Sequence, residues 1–127
     1  MIVEISIGEV VDKLSILQIK KNNIKEPLKL ANVTKEFTYL YNIVFSTLNI
    51  EKLDYNKLII INEKLWGVED KLRDKERIKS FDEEFIKLAR LVYFTNDKRA
   101  EIKKEINIKY GSNFIEEKNY IKYEDIN

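Results

Sequence analysis

The sequence predicts an all-α protein: a four-helix bundle or paired long helical hairpins, with a short extended N-terminal arm and a C-terminal tail. Three observations predict it. Apolar residues recur at alternating spacings of three and four along four stretches of the chain. Only three Gly and one Pro interrupt it. Recognisable helix starts and stops stand at the ends of those stretches. At 127 residues the chain is expected to form one domain, residues 1–127.

The opening Ile2-Val3-Glu4-Ile5 reads as a short extended arm. Ser6-Ile7-Gly8-Glu9 has the form of a capping box, in which the serine caps the turn and the glutamate reaches back. A first helix, near 7–23, carries Val10, Val11, Leu14 and Leu17 on one stripe. Pro27 suits the first turn of a second helix, near 27–48, because its missing N–H costs nothing there. Leu30, Val33, Phe37, Leu40 and Val44 form its apolar face. Asp54 is the expected cap of a third helix, near 55–79, with Leu58, Ile61, Leu65, Val68 and Leu72 as its stripe. Ser80-Phe81-Asp82-Glu83 reads as a second capping box before a fourth helix, near 82–110, and Gly111 as its stop. The tail, 111–127, is expected to hold a turn, a short helix and a frayed end. Helices this long in a small chain suggest that their far ends are buried against another copy, so a homo-oligomer is expected.

Composition removes several kinds of chemistry. Without Cys there are no disulfides, thiol nucleophiles or cysteine-bound metal clusters. Without His there is no histidine-based triad and no imidazole ligand. A net charge of +1 offers no general attraction to nucleic acid or anionic lipid. The longest apolar run, Leu58 to Ile61, is far short of the ~20 residues that span a bilayer. A cytoplasmic protein is therefore expected, with no membrane partner and nucleic acid an improbable one.

The informative positions are those where a core stripe turns polar. On the fourth helix the stripe reads Phe85, Ala89, Val92, Asn96, Arg99, Lys103, Ile106, Tyr110, apolar at both ends and polar between. Burying Arg99 and Lys103 requires a partner or a ligand. One reading is a polar cavity facing an anion; the other is that the helix turns this segment to solvent. Asp12, at the edge of the first helix's stripe, would clamp Arg99, accept a ribose hydroxyl, or simply stand solvated at that edge. On the third helix Asn62, Trp66, Glu69 and Arg73 share one side. Trp66 offers a flat face for a base or sugar and Arg73 a fork for phosphate, or the pair Glu69–Arg73 is simply a surface ion pair. Thr95-Asn96-Asp97 interrupts strong helix formers, and Gly111-Ser112-Asn113 offers free N–H groups as a small-anion nest. Only four of the 23 basic residues are Arg (73, 77, 90 and 99), in a chain otherwise rich in Lys, which marks each as a place where a planar fork is useful or a salt bridge is made. Asp97 and Glu101 have the helical spacing of a Mg²⁺-binding pair, but Glu83-Glu84 lies about four turns away.

Several of these residues fall in longer signatures: Asp12-Lys13-Leu14-Ser15-Ile16-Leu17; Asn62-Glu63-Lys64-Leu65-Trp66 with Glu69-Asp70; Leu88-Ala89-Arg90 with Val92-Tyr93, Thr95-Asn96-Asp97 and Arg99-Ala100; and Gly111-Ser112 followed by Glu116-Glu117-Lys118 and Tyr120. In these the chain resembles a small uncharacterised bacterial and phage family of all-helical proteins, a domain of unknown function. Asn119 stands where that family more often carries Ser. The resemblance implies no activity. Some members look phage-borne, and others resemble neighbours of polysaccharide-synthesis genes.

The reading that follows is a non-enzymatic protein binding a small anionic ligand, a nucleotide or a phosphorylated sugar, with no cofactor. Its expected site is Asp12, Asn62, Trp66, Glu69, Arg73, Arg90, Tyr93, Thr95, Asn96, Arg99, Lys103, Ser112, Lys118 and Tyr120. A phage-borne member would act as a sponge for a nucleotide immune signal. The alternatives are a Mg-dependent enzyme acting on a nucleotide or phosphorylated sugar, and a structural adaptor.

Overall fold

The structure, a computed structural model, describes residues 1–123. It is all-helical, as expected: α1 (Ile7–Asn23), α2 (Pro27–Asn42), a π-helical turn (Ile43–Thr47), α3 (Lys52–Arg77) and α4 (Glu83–Lys109). The last four residues of the expected tail, 124–127, lie outside the described residues.

Helix α1 is the middle of the molecule. It packs against α2 on one side and against the long α3–α4 hairpin on the other, while α2 meets α3 only at its end, where Lys52 reaches the Tyr41 hydroxyl at 3.3 Å. The arrangement is therefore paired hairpins sharing α1, not a closed four-helix bundle. Val11, Leu14 and Leu17 of α1 meet Phe37 of α2, Val44 of the π turn, Tyr55 and Leu58 of α3, and Ile106 of α4 in one apolar core. Burial of each such side chain stabilises the fold by roughly 1.5–3 kcal/mol. Phe37 is the only buried residue of α2.

Local chemistry sets the ends, with four departures from expectation. The Ser6 hydroxyl accepts from the Glu9 N–H at 3.2 Å, but Glu9 does not reach back; its carboxylate goes to Lys103 instead. Helix α2 loosens into the π turn rather than running on to 48, and Asn49 then adopts a left-handed φ of 53°, a conformation asparagine tolerates. Helix α3 begins at Lys52 behind Glu51, so Asp54 is not its cap but lies buried in the first turn, accepting from Lys109 at 2.8 Å and Tyr110 at 2.6 Å. Asp82, not Ser80, caps α4, accepting from the Phe85 N–H at 2.9 Å. Gly111 does end α4, at φ 69°, and the Ser112 N–H closes back on the Asn107 carbonyl at 2.8 Å.

The tail forms no helix over 111–123. It turns back along α4, with a Lys104–Glu117 ion pair at 3.1 Å and a hydrogen bond from the Tyr123 hydroxyl to Asp97. Among the described residues no helix is long and apolar enough to cross a membrane.

Candidate functional site

The polar interruption of the α4 stripe is the centre of two linked networks. In the first, Asp12 is 1% exposed at the middle of α1. Its carboxylate accepts from Arg99 at both oxygens, through Nε at 2.9 Å and through Nη2. The Asn62 amide donates to the same carboxylate at 2.9 Å and to the Ser15 hydroxyl at 2.7 Å. Ser15 in turn donates to the Asp12 carbonyl at 2.6 Å. Asn96 accepts from Arg99 Nη1 at 3.4 Å. The expected clamp of Arg99 by Asp12 is present, and the carboxylate raises the guanidinium pKa further. The fork is thereby filled by an anion of the same chain.

In the second network Lys103, 9% exposed, reaches Glu9 at 2.7 Å and Glu116 of the tail at 3.6 Å. Glu116 also pairs with Lys118 at 2.7 Å. The Lys118 hydrogen bond is the main cause of a lowered Glu116 pKa, partial burial opposes it, and Lys103 adds to it. Helix α1 can lie this close to α4 because residue 8 is glycine. The Gly8 N–H donates to the buried Asn107 amide oxygen at 2.6 Å, and a β-carbon at Gly8 would stand 2.5 Å from the Lys103 carbonyl oxygen.

Outside these networks, the tail and α4 enclose two adjoining cavities. One of about 260 Å³ is lined by Asp97, Lys98, Glu101, Tyr120, Lys122 and Tyr123. The other, of about 210 Å³, shares Asp97, Glu101, Tyr120 and Lys122 and adds Lys104, Glu117 and Lys118 among others. Asp97, Glu101 and Lys104 fall at helical spacings of four and three, which brings them to one side of α4. Tyr123 closes the end, edge-on to Tyr93 at 5.6 Å and to Phe94 at 4.9 Å.

The Asp97 hydrogen bond holds the Tyr123 pKa up to about 12. Because the folded value lies above the ordinary 10.0, the contact is at full strength below pH 10 and fades as pH rises through about 12. We expect the tyrosinate absorbance of the chain to show more than one late-titrating tyrosine, since burial also raises Tyr55, and Tyr123→Phe to remove one of the late steps. Loss of a step at the ordinary pH near 10 instead would exclude this contact.

The fourteen expected site residues do not converge. Asp12, Asn62, Asn96 and Arg99 meet in the first network, Lys103 and Lys118 in the second, and Tyr120 lies in the tail cleft. Thr95 is buried in α4. Tyr93 braces the tail. Arg90 is exposed, its guanidinium 5.9 Å from the Phe94 ring centre. Trp66 stands by the end of α1, beside Ile19, Asn22 and Asn23. Glu69 and Arg73 are a surface ion pair at 3.9 Å, on a separate groove near the tip of the hairpin. One pocket using Trp66, Arg73 and Arg99 together is thus corrected: Arg73 lies about 16 Å along α3 from Asn62. The anion nest at Gly111–Asn113 is corrected as well. The Gly111 and Ser112 N–H groups close the end of α4, and the Ser112 hydroxyl accepts from the Ile7 N–H at 3.0 Å and donates to the Phe114 carbonyl at 2.7 Å. Glu84 pairs with Lys75 at 3.1 Å at the start of α4, remote from Asp97 and Glu101.

Sequence reasoning missed Lys98, Lys122 and Tyr123 as cleft residues, and the Gly8–Asn107 contact. The α4 spacing of Asp97, Glu101 and Lys104 was a readable signal for the cleft; nothing in the order of residues signals how the tail turns back. No protein-family model, curated protein or solved structure matches the chain.

Proposed function

We propose that the chain is a non-enzymatic binding protein for a small phosphorylated ligand, a nucleotide or a phosphorylated sugar, held between α4 and the tail. It works in the cytosol as a homo-oligomer, and in a phage-borne setting it would sequester a nucleotide immune signal, in keeping with the family its signatures resemble. The observation that carries the reading is the cleft itself. Two tyrosines, Tyr120 and Tyr123, and four lysines, Lys98, Lys104, Lys118 and Lys122, line its two adjoining cavities.

The chemistry fits such a ligand. A base or sugar ring stacks on a tyrosine, an interaction that contributes roughly 1–3 kcal/mol per base. Lysines meet phosphate as point charges. Asp97 and Glu101 are acceptors for ribose or sugar hydroxyls. The cavities are at or below the ~300 Å³ lower end for ligand sites, which favours a ligand of mononucleotide size. Glu116 and Glu117 already pair with Lys103, Lys118 and Lys104, so an incoming phosphate competes with carboxylates of the tail.

Native mass spectrometry of the chain purified from cells, against a denatured aliquot, tests the reading. A retained phosphorylated mass is expected, and stoichiometric binding of a nucleotide or nucleotide-sugar from a panel. Tyr120→Ala and Lys104→Ala should each weaken binding by about tenfold. Metal-dependent loss of the ligand would replace this reading by the Mg-dependent enzyme. No retained mass and no binding across the panel would leave the structural adaptor in its place.

A further inference from the structure

We propose that the tail from Ile115 to Tyr123 is a strap that swings away from α4 and back, and that salt shifts it towards the open form. What the strap encloses rests on the binding reading; its motion does not. The tail supplies one wall of both cavities, through Glu116, Glu117, Lys118, Tyr120, Lys122 and Tyr123. The opposite wall is α4, so the cleft exists only while the strap is shut.

Little holds the strap in place. Every residue from Asn113 to Tyr123 is exposed, and none of them is helical. Among the described residues no backbone–backbone hydrogen bond joins 113–123 to the rest of the chain; the last is that of the Ser112 N–H to the Asn107 carbonyl. The fixed end is well defined. The Ser112 hydroxyl accepts from the Ile7 N–H and donates to the Phe114 carbonyl, and the Asn113 amide donates to Glu4 at 3.0 Å, so the pivot lies beyond Phe114. Past that point the polar contacts to α4 are few. Glu117 meets Lys104 at 3.1 Å, with the two side chains 71 and 47% exposed. Glu116 meets Lys103 at 3.6 Å, and Tyr123 donates to Asp97. Ion pairs as exposed as Lys104–Glu117 contribute little and are screened by salt.

Opening strands no charge. Lys103 keeps Glu9 at 2.7 Å, Glu116 keeps Lys118 at 2.7 Å within the tail, and Glu117 and Lys104 pass into water. What keeps the strap shut is Phe94. This residue is 7% exposed, and the Tyr123 ring lies edge-on to it at 4.9 Å, so opening brings an apolar face to water. Salt weakens the ion pairs and spares this contact. Ionic strength therefore tips the balance, and a molecule that touches both walls draws the strap shut by binding only that form.

Because the chain has no cysteine, Ile121→Cys on the strap and Ile86→Cys on α4, at positions 92 and 56% exposed, carry the only two spin labels. Pulsed electron paramagnetic resonance of the full chain reads their separation. Two populations are expected, one short and narrow, one longer and broad. The broad one should grow as sodium chloride rises from about 0.1 to 1 M, over which the screening length falls from about 10 to about 3 Å. Lys104→Ala should raise the open-to-shut ratio about two- to fivefold, the worth of one exposed ion pair. Tyr123→Ala should raise it as well, and Lys64→Ala, an exposed lysine of α3, should leave it unchanged. Circular dichroism of each variant checks that the helices are intact. One narrow population, indifferent to salt and to Lys104→Ala, overturns the strap. So does one broad population in every condition, since the tail then has no seat on α4. The nucleotide and nucleotide-sugar panel separates the strap from the ligand reading. A strap that opens with salt and is closed by no member of the panel stands without that reading, and a panel member bound by a chain with one salt-indifferent distance leaves the reading and removes the strap.

Discussion

Arg99→Met is expected to lower stability by about 3–5 kcal/mol, the cost of leaving a buried carboxylate without its cation. Asp12 has almost no contact with water and only the Asn62 amide as a remaining side-chain donor. In a chain of this size such a loss lowers Tm by on the order of 10 °C. The effect belongs to the pair and not to the arginine. Replacing Asp12 by Asn in the same chain should recover much of the loss, since a neutral amide needs no counter-charge. Thermal and urea unfolding of the two single variants and the double one form the cycle. Equal losses for the single and the double variants would show that the arginine contributes packing and not charge.

Gly8→Ala is the second large effect. A β-carbon there would meet the Lys103 carbonyl oxygen at 2.5 Å and the Asn107 amide oxygen at 3.0 Å. The first is helix backbone and does not swing aside, so α1 and α4 must move apart. Separation strains the Gly8–Asn107 hydrogen bond and the Glu9–Lys103 pair together. We expect a loss of about 2–4 kcal/mol, overpacking plus a weakened buried hydrogen bond, from which the better helix propensity of alanine recovers less than 1 kcal/mol. Gly67→Ala is the natural comparison, because nothing lies within 4 Å of its would-be β-carbon. It should be neutral or slightly stabilising in the same unfolding measurement. If the Gly8→Ala loss were no larger than that of Gly67→Ala, α1 would not be held against α4 at this point.

The contrast between these two glycines bears on how much of the molecule was legible in its residue order. Periodicity identified the four helices because each apolar stripe has one face to bury. The Ser6 cap and the Gly111 stop were legible because their chemistry is local. Asp54 looked like a cap for equally local reasons, yet its partners, Lys109 and Tyr110, are more than fifty residues away. Gly8 was read as part of a capping box and proved to be a point of contact between helices, a role set by the distance to α4. Arg99 and Lys103 were rightly singled out as misplaced charges. Their partners Asp12 and Glu9 lie on α1, 87 and 94 residues apart from them in sequence, so the order of residues left a ligand, the Asp12 clamp for Arg99 and exposure to solvent all open, and gave no sign of Glu9 as the partner of Lys103. The tail was hardest. Its path depends on a few ion pairs and tyrosine contacts that give no periodic signal.

The placement of α2 has a consequence for how the molecule opens. With Phe37 as its one buried residue, and only the exposed Lys52–Tyr41 contact joining it to α3, α2 can detach with little disturbance of α1 where it meets α3 and α4. Amide exchange should accordingly divide the chain into two populations. The α2 amides would report a small sub-global opening, while those of α1 and the facing turns of α3 and α4 would report the unfolding of the whole. A protease acting on the helices of the native protein would then find its first cut in the same place, between the first helix and the long hairpin.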